Sequence, residues 1–263
     1  MIKKIIRAII SPKLILKKVK STYINYKERK INKRWRDQEY VLKNRQNFNQ
    51  EYYLKHKNIR EVEHHVGRFL NMKKIVNEII ENEIPGDVLE FGTWQGTSLI
   101  SISNLFKNES SKKSFVGVDS FEGLPESSNF WQKGDFNNTS IEIIKKKIEK
   151  YVSIKSNIVL IKGWFNDPKV KKEIYDKISS VSLIHFDSDL GSSTRQALEI
   201  SEKFLINRKK PMFFLFDDWG CHPDEVPDAF LNWAESNKEK HLFNYKKISS
   251  TNLTRYYKLN FNN

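Results

Sequence analysis

Cysteine is nearly absent from this chain of 263 residues, with Cys221 the single example. An internal disulfide framework and a cysteine-rich zinc site are therefore excluded, and a reducing compartment fits. Six histidines are present, but none stands in a His-Glu-x-x-His pattern, which removes that zinc-hydrolase signature. Neither the dinucleotide spacing Gly-x-Gly-x-x-Gly nor a phosphate loop ending in Gly-Lys-Ser/Thr occurs. No internal repeat or low-complexity linker is visible. The apolar runs of residues 1–20 are short and broken by Pro12 and by lysines, too short and too charged to span a bilayer and unlike a cleavable signal peptide. What is present is 38% hydrophobic and 13% aromatic residues, enough for one sizeable α/β domain and an extension.

Acidic residues are scarce at one end. Residues 1–60 hold 18 Lys/Arg against 4 Asp/Glu, while the other 203 residues hold 28 of each. The whole excess of +14 thus sits on the N-terminal extension, and the main domain is neutral. A neutral domain argues against a catalytic unit built to grip nucleic acid, so no nucleic-acid partner is expected. The boundary falls at residues 1–59 for a basic, helical extension and 60–263 for the main domain. Isoleucine and leucine on one side and lysine on the other suit an anionic membrane surface for residues 1–45. A solvated arm, or a helix packed on a second subunit, explains the same pattern. Residues 27–45 read as an exposed helix.

Along the main domain, residues 40–83 read as helical, with Val66, Phe69, Leu70, Ile75, Ile79 and Ile80 as candidate core. His64 and His65 are adjacent, so they should face different sides of that helix and not share a metal. Val88 to Phe91 ends a buried parallel strand, Gly92 and Gly96 bracket a tight turn, and Thr97 to Phe106 continues as a helix. Strand, glycine turn and helix start make a corner that suits a nucleotide-like ligand, although glycine can serve turn geometry alone. A second strand, Ser114 to Val118, ends at Asp119. An acid there accepts hydrogen bonds from ribose hydroxyls; a turn or capping aspartate is the alternative. A basic helix spans Ile141 to Lys150. A third strand, Ile158 to Ile161, precedes Gly163-Trp164-Phe165, where Trp164 could stack on adenine or belong to the core. Val181 to Phe186 and Met212 to Phe216 are near-continuous apolar strands, as parallel strands covered on both faces should be. They end in Asp187-Ser188-Asp189 and Asp217-Asp218. Four aspartates at neighbouring strand ends cannot all remain ionised without a cation, and hard oxygen ligands suit Mg²⁺. Helices are expected from Ser192 to about Phe204 and from Pro227 to Glu235, then a terminal hairpin.

Val88–Ser98, Gly117–Pro125, Gly163–Phe165, Asp187–Leu190 with Ser193-Thr194, and Asp217-Asp218, in this order, resemble the macrocin O-methyltransferase family over residues 60–250. The resemblance implies a class I methyltransferase Rossmann-like fold: a mostly parallel seven-stranded sheet with helices on both faces. It implies S-adenosylmethionine as cofactor, with Glu90, Gly92, Thr93, Gly96 and Ser98 at the methionine corner, Asp119 and Ser120 at the ribose, and Gly163 and Trp164 at the adenine. It implies Mg²⁺ on Asp187, Asp217 and Asp218, and Asp189 as general base, so Asp187 and Asp189 are the catalytic candidates. A sugar-bearing acceptor and a homo-oligomer complete what the resemblance implies; the basic arm adds the expectation of a cytoplasmic protein with the inner face of the membrane as an optional peripheral site. The chain departs from the family pattern at Gly191, Arg208–Pro211, Trp219 and Cys221–Pro223; there His222 is an alternative base. A metal-dependent hydrolase or phosphoryl-transfer enzyme would use the same aspartates but leave Asp119 and the Gly92 turn unexplained. A non-catalytic, membrane-recruited protein on a degenerate fold is the third reading.

Overall fold

A computed structural model describes residues 37–56, 58–128, 131–152, 157–219, 225–248, 251 and 253–262. The basic residues 1–36, and the segment holding Cys221 and His222, lie outside the described residues. Helices α1 (Gln38–Asn44), α2 (Gln50–His56) and α3 (Arg60–Glu81) precede the sheet. The chain then alternates β1 (Asp87–Phe91), α4 (Thr97–Leu105), β2 (Ser114–Asp119), α5 (Ile141–Tyr151), β3 (Asn157–Lys162), α6 (Pro168–Lys177), β4 (Val181–Phe186), α7 (Gly191–Ser201), β5 (Met212–Phe216) and α8 (Val226–Asn237). Strands β6 (Phe243–Lys247) and β7 (Arg255–Phe261) close it. The seven strands form one sheet in the order β3-β2-β1-β4-β5-β7-β6. The first five are parallel, and β7 enters antiparallel between β5 and β6. This is the mostly parallel seven-stranded sheet that the resemblance implied.

Side chains alternate across a strand, so each strand feeds two cores. Leu89, Phe91, Ile184, Phe186, Phe214 and Phe216 pack with α6, α7 and α8 on one face. Val88, Phe115, Leu183, Phe213 and Leu215 pack with α3 and α4 on the other. Phe91, Phe186 and Phe216 form a continuous stack across β1, β4 and β5, with ring centroids 5.8 and 4.6 Å apart. These three are the last residues of their strands. The residue after each, Gly92, Asp187 or Asp217, therefore belongs to the opposite face, beneath α3. The ladder runs one residue past the strand ends: Gly92 N–H donates to Val118 C=O, Asp187 N–H to Phe91 C=O, Asp217 N–H to Phe186 C=O and Gly163 N–H to Asp119 C=O, each at 2.9 Å.

Several local expectations change. Residues 40–83 are three helices, not one. Helix α1 is not an exposed arm: it buries Gln38, Val41 and Leu42. Val41 joins Phe48, Val62 and Val66 in a small core, and the Arg45 guanidinium donates to Tyr151 C=O at 3.0 Å. Ile80 is 37% exposed, because the helix turns its apolar stripe past it. Helix α6 is additional to the sequence reading. Its N-cap is Asp167, with proline in the first turn, and only Val170 and Ile174 are buried along its length.

Candidate functional site

A cavity of about 1440 Å³ opens at the carboxyl edge of the parallel strands, where ligands bind in sheets of this type. Gly92, Thr93, Ser98, Asp119, Ser120, Gly163, Trp164, Asp187, Asp189, Asp217 and Asp218 all line it. Glu90 and Gly96 do not. Glu90 is fully buried, and its Oε2 lies 2.9 Å from His185 Nδ1. Gly96 caps α4 at φ 75°, and a Cβ there would meet Ile144 at 2.7 Å. Its glycine thus serves the packing of α5 on the turn.

Gly92 has the tightest constraint. Its φ is +86°, and a Cβ there would lie 1.7 Å from Asp187 C=O. The cofactor-type turn and the first aspartate therefore touch through backbone. Asp119 binds the same turn: Oδ2 accepts from Trp94 N–H at 2.7 Å and Oδ1 from Phe121 N–H at 2.6 Å. Burial pushes its carboxyl up, and these two bonds oppose the shift. The turn-aspartate arrangement is thus realised, and the carboxylate still lines the cavity. Trp94, Phe121, Asp189 and Asp218 hold left-handed backbone at φ 42–59°, a concentration of strain typical of functional edges. Trp94 and Trp131 each meet the Phe136 ring edge-on, at 5.4 and 5.0 Å, as an aromatic wall of the cavity. Trp164 is half-buried at the cavity rather than a core residue.

The aspartates meet groups that their own strands do not supply. Helix α3 lays Arg60, Glu61, His64, His65 and Arg68 along the cavity. The Arg68 guanidinium donates through NH1 to Asp187 Oδ2 at 2.9 Å and to Asp217 Oδ2. His64 Nε2 lies 2.8 Å from the same Asp217 oxygen. The His64 and His65 rings do not diverge: they stack at 5.0 Å, both residues line the cavity, and with Glu61 they offer ligand-type atoms within 4.8 Å of one another. Burial works against the charge on Asp217, but Arg68 and His64 outweigh it and hold that carboxyl far below the usual range. Asp187 goes the other way: burial, then the charge of Asp217, pushes it up to about 8. Burial and Asp218 raise Asp189 well above its ordinary value. Arg68 and His64 both serve Asp217, so the crowding of carboxyls falls on Asp187 and Asp189 and disfavours their charged forms.

The donor set fits a hard divalent cation. Carboxylate oxygens of Asp187 and Asp217 lie within 4.8 Å of each other and of a His185 ring nitrogen. Asp217 Oδ1 is buried without a hydrogen-bond partner, an acceptor that a cation would satisfy. Gly191 stands where the related pattern has tyrosine; a Cβ there would meet the Glu225 backbone at 3.0 Å, so that space is filled by chain rather than added to the cavity.

A family model described as macrocin O-methyltransferase matches residues 3–242. Demethyldecarbamoylnovobiocin O-methyltransferase of Streptomyces niveus is 25% identical over 144 residues, 51% of this chain and 53% of that protein. A tetracenomycin rhamnosyl 4'-O-methyltransferase of Streptomyces olivaceus is 26% identical over 174 residues, 62% of this chain and 63% of that protein. The chain thus spans little more than half the length of these curated relatives. The solved structure of a calicheamicin methyltransferase covers 95% of both chains at TM-score 0.59 and 16% identity, which shows a shared fold. The fold is the class I methyltransferase fold.

Proposed function

The chain belongs to the macrocin O-methyltransferase family, and from that premise we propose that it methylates a sugar hydroxyl on a glycan, glycolipid or glycosylated natural product, using S-adenosylmethionine and a divalent cation such as Mg²⁺. One observation carries the reading: the Gly92–Ser98 corner with Asp119, and the Asp187, Asp189, Asp217 and Asp218 cluster, line one continuous cavity. Its volume of about 1440 Å³ exceeds the roughly 300–1000 Å³ of a typical small-ligand pocket, so a cofactor and a sugar can be held together.

In this reading the Gly92 turn and the start of α4 receive the methionine part, Asp119 and Ser120 the ribose, and Gly163 and Trp164 the adenine. Asp187, Asp217 and Asp218 would hold the cation, which when bound lowers the pKa of a sugar hydroxyl and fixes its oxygen. Burial and Asp218 favour a proton on Asp189, so it would serve as the base that takes the proton from the attacking oxygen only once the cation offsets that crowding. The cavity walls align that oxygen with the methyl group, and positioning supplies much of the rate. Relatives whose names specify rhamnosyl and novobiocin O-methylation support the acceptor class. The basic arm suits a lipid-linked glycan at the cytoplasmic face of a membrane; among the described residues no helix is long and apolar enough to cross one.

Calorimetric titration with S-adenosylmethionine, followed by methyl transfer to a panel of free and lipid-linked glycosides with and without Mg²⁺, tests this. Micromolar binding and a methylated sugar that disappears with EDTA are expected. Absence of cofactor binding would overturn the assignment.

A further inference from the structure

Arg68 occupies the position of a counter-ion in the site. Its side chain is 9% exposed, and a single nitrogen, NH1, reaches both Asp187 and Asp217. Asp217 is fully buried, and a buried carboxylate without a partner is costly. His64 reinforces the contact from one turn earlier on the same helix. Among the described residues, Arg68 and His64 bond to the Asp217 carboxylate, and both take Oδ2, leaving Oδ1 unpartnered. A divalent cation entering here meets a site whose charge is already partly neutralised.

We propose that Arg68 is a resident cation that holds Asp187 and Asp217 together in the metal-free protein and competes with the divalent ion for them. This rests on the metal-dependent reading above. Two consequences follow from charge alone. Removing the guanidinium leaves two carboxylates close together with less to balance them, so the metal-free protein is weakened. The same removal leaves a more negative site, so a divalent ion binds more tightly and restores what was lost. A purely structural arginine would produce the first effect without the second.

Mn²⁺ is the probe, added to full-length protein stripped with chelator and dialysed. Bound ion is read by loss of the free-ion paramagnetic resonance signal, and stability by thermal unfolding. Arg68→Met should bind Mn²⁺ at least tenfold more tightly than the parent. Its melting temperature should be lower without metal and should rise more on addition of Mn²⁺ than that of the parent. Arg68→Lys keeps the charge but loses the planar fork, so its affinity should fall between the two; it also serves if the methionine variant does not fold without metal. Mn²⁺ affinity equal to or weaker than the parent's in the variants overturns the competition. Absence of saturable Mn²⁺ binding in parent and variants alike overturns the metal reading itself.

Discussion

Raising the pH of the metal-free protein from about 6.5 to about 8 should lower its stability, through Asp187. Its carboxyl is pushed up to about 8 by burial and then by the charge of Asp217, whereas an unfolded aspartate titrates near ~3.9. Between those values the native chain holds a proton that the unfolded chain has lost, so stability falls as pH rises. The contribution is complete below ~4 and gone once the pH passes the native value. Burial and Asp218 raise Asp189 too, and His64 and His185 shift upward because Asp217 and Glu90 outweigh the burial that opposes their charge; all three carry the same sign. Burial holds His65 well below its ordinary value, which matters only below ~6.5, where unfolded histidine is charged. Asp217 carries the opposite sign, but in the acid range. One proton over about 1.5 pH units amounts to about 2 kcal/mol, or roughly 4–8 °C in melting temperature for a chain of this size. Differential scanning fluorimetry in EDTA across that window is the assay. Asp187→Asn should make the profile shallower, and so should a saturating divalent ion. A melting temperature that is level or rises with pH in the parent protein, or an unchanged slope in Asp187→Asn, refutes the reasoning.

Gly92→Ala should cost more than about 4 kcal/mol, since its Cβ would lie 1.7 Å from Asp187 C=O; a near-normal urea midpoint would mean that the β1 and β4 ends separate freely. Asp119→Asn keeps the size of the side chain but gives up one of the two carboxylate oxygens that accept from Trp94 and Phe121. A loss of about 1–3 kcal/mol is expected, with S-adenosylmethionine affinity at least tenfold weaker by calorimetry; unchanged affinity would remove Asp119 from the cofactor site. Phe216→Ala opens the stack beneath the aspartates and should cost about 3–5 kcal/mol in guanidinium denaturation. A loss below about 1 kcal/mol would show that the stack does not bear on stability.

The parallel strands were legible because Met212–Phe216 is an unbroken apolar run and Val181–Phe186 is broken only by Ser182 and His185, and both stop at aspartate. Helix α6 was not, because two buried side chains among lysines and two acidic residues leave a weak period. The aspartates could be read from their place after each strand, whereas Arg68 and His64 could not. They lie on a different element, 119 and 153 residues away from the carboxylates they meet. A signal did exist. Glu61, His65 and Arg68 continue the same helical stripe as Met72, Ile75 and Ile79, which faces the sheet. A stripe that changes from apolar to charged along one buried face marks where a helix passes from the core to a polar site.

The backbone bonds that run one residue past the strand ends have an evolutionary consequence. Gly92, Asp187, Asp217 and Gly163 are tied into the sheet by their own amides, so their backbone should resist exchange with solvent deuterium nearly as long as the core. Leu124, Trp131, Lys133 and Phe136, which also face the cavity, belong to the connection between β2 and α5. On the proposed function, chemistry then rests on the part tied into the sheet and acceptor choice on the β2–α5 connection, so descendants of this chain would change their acceptor while leaving the reaction untouched.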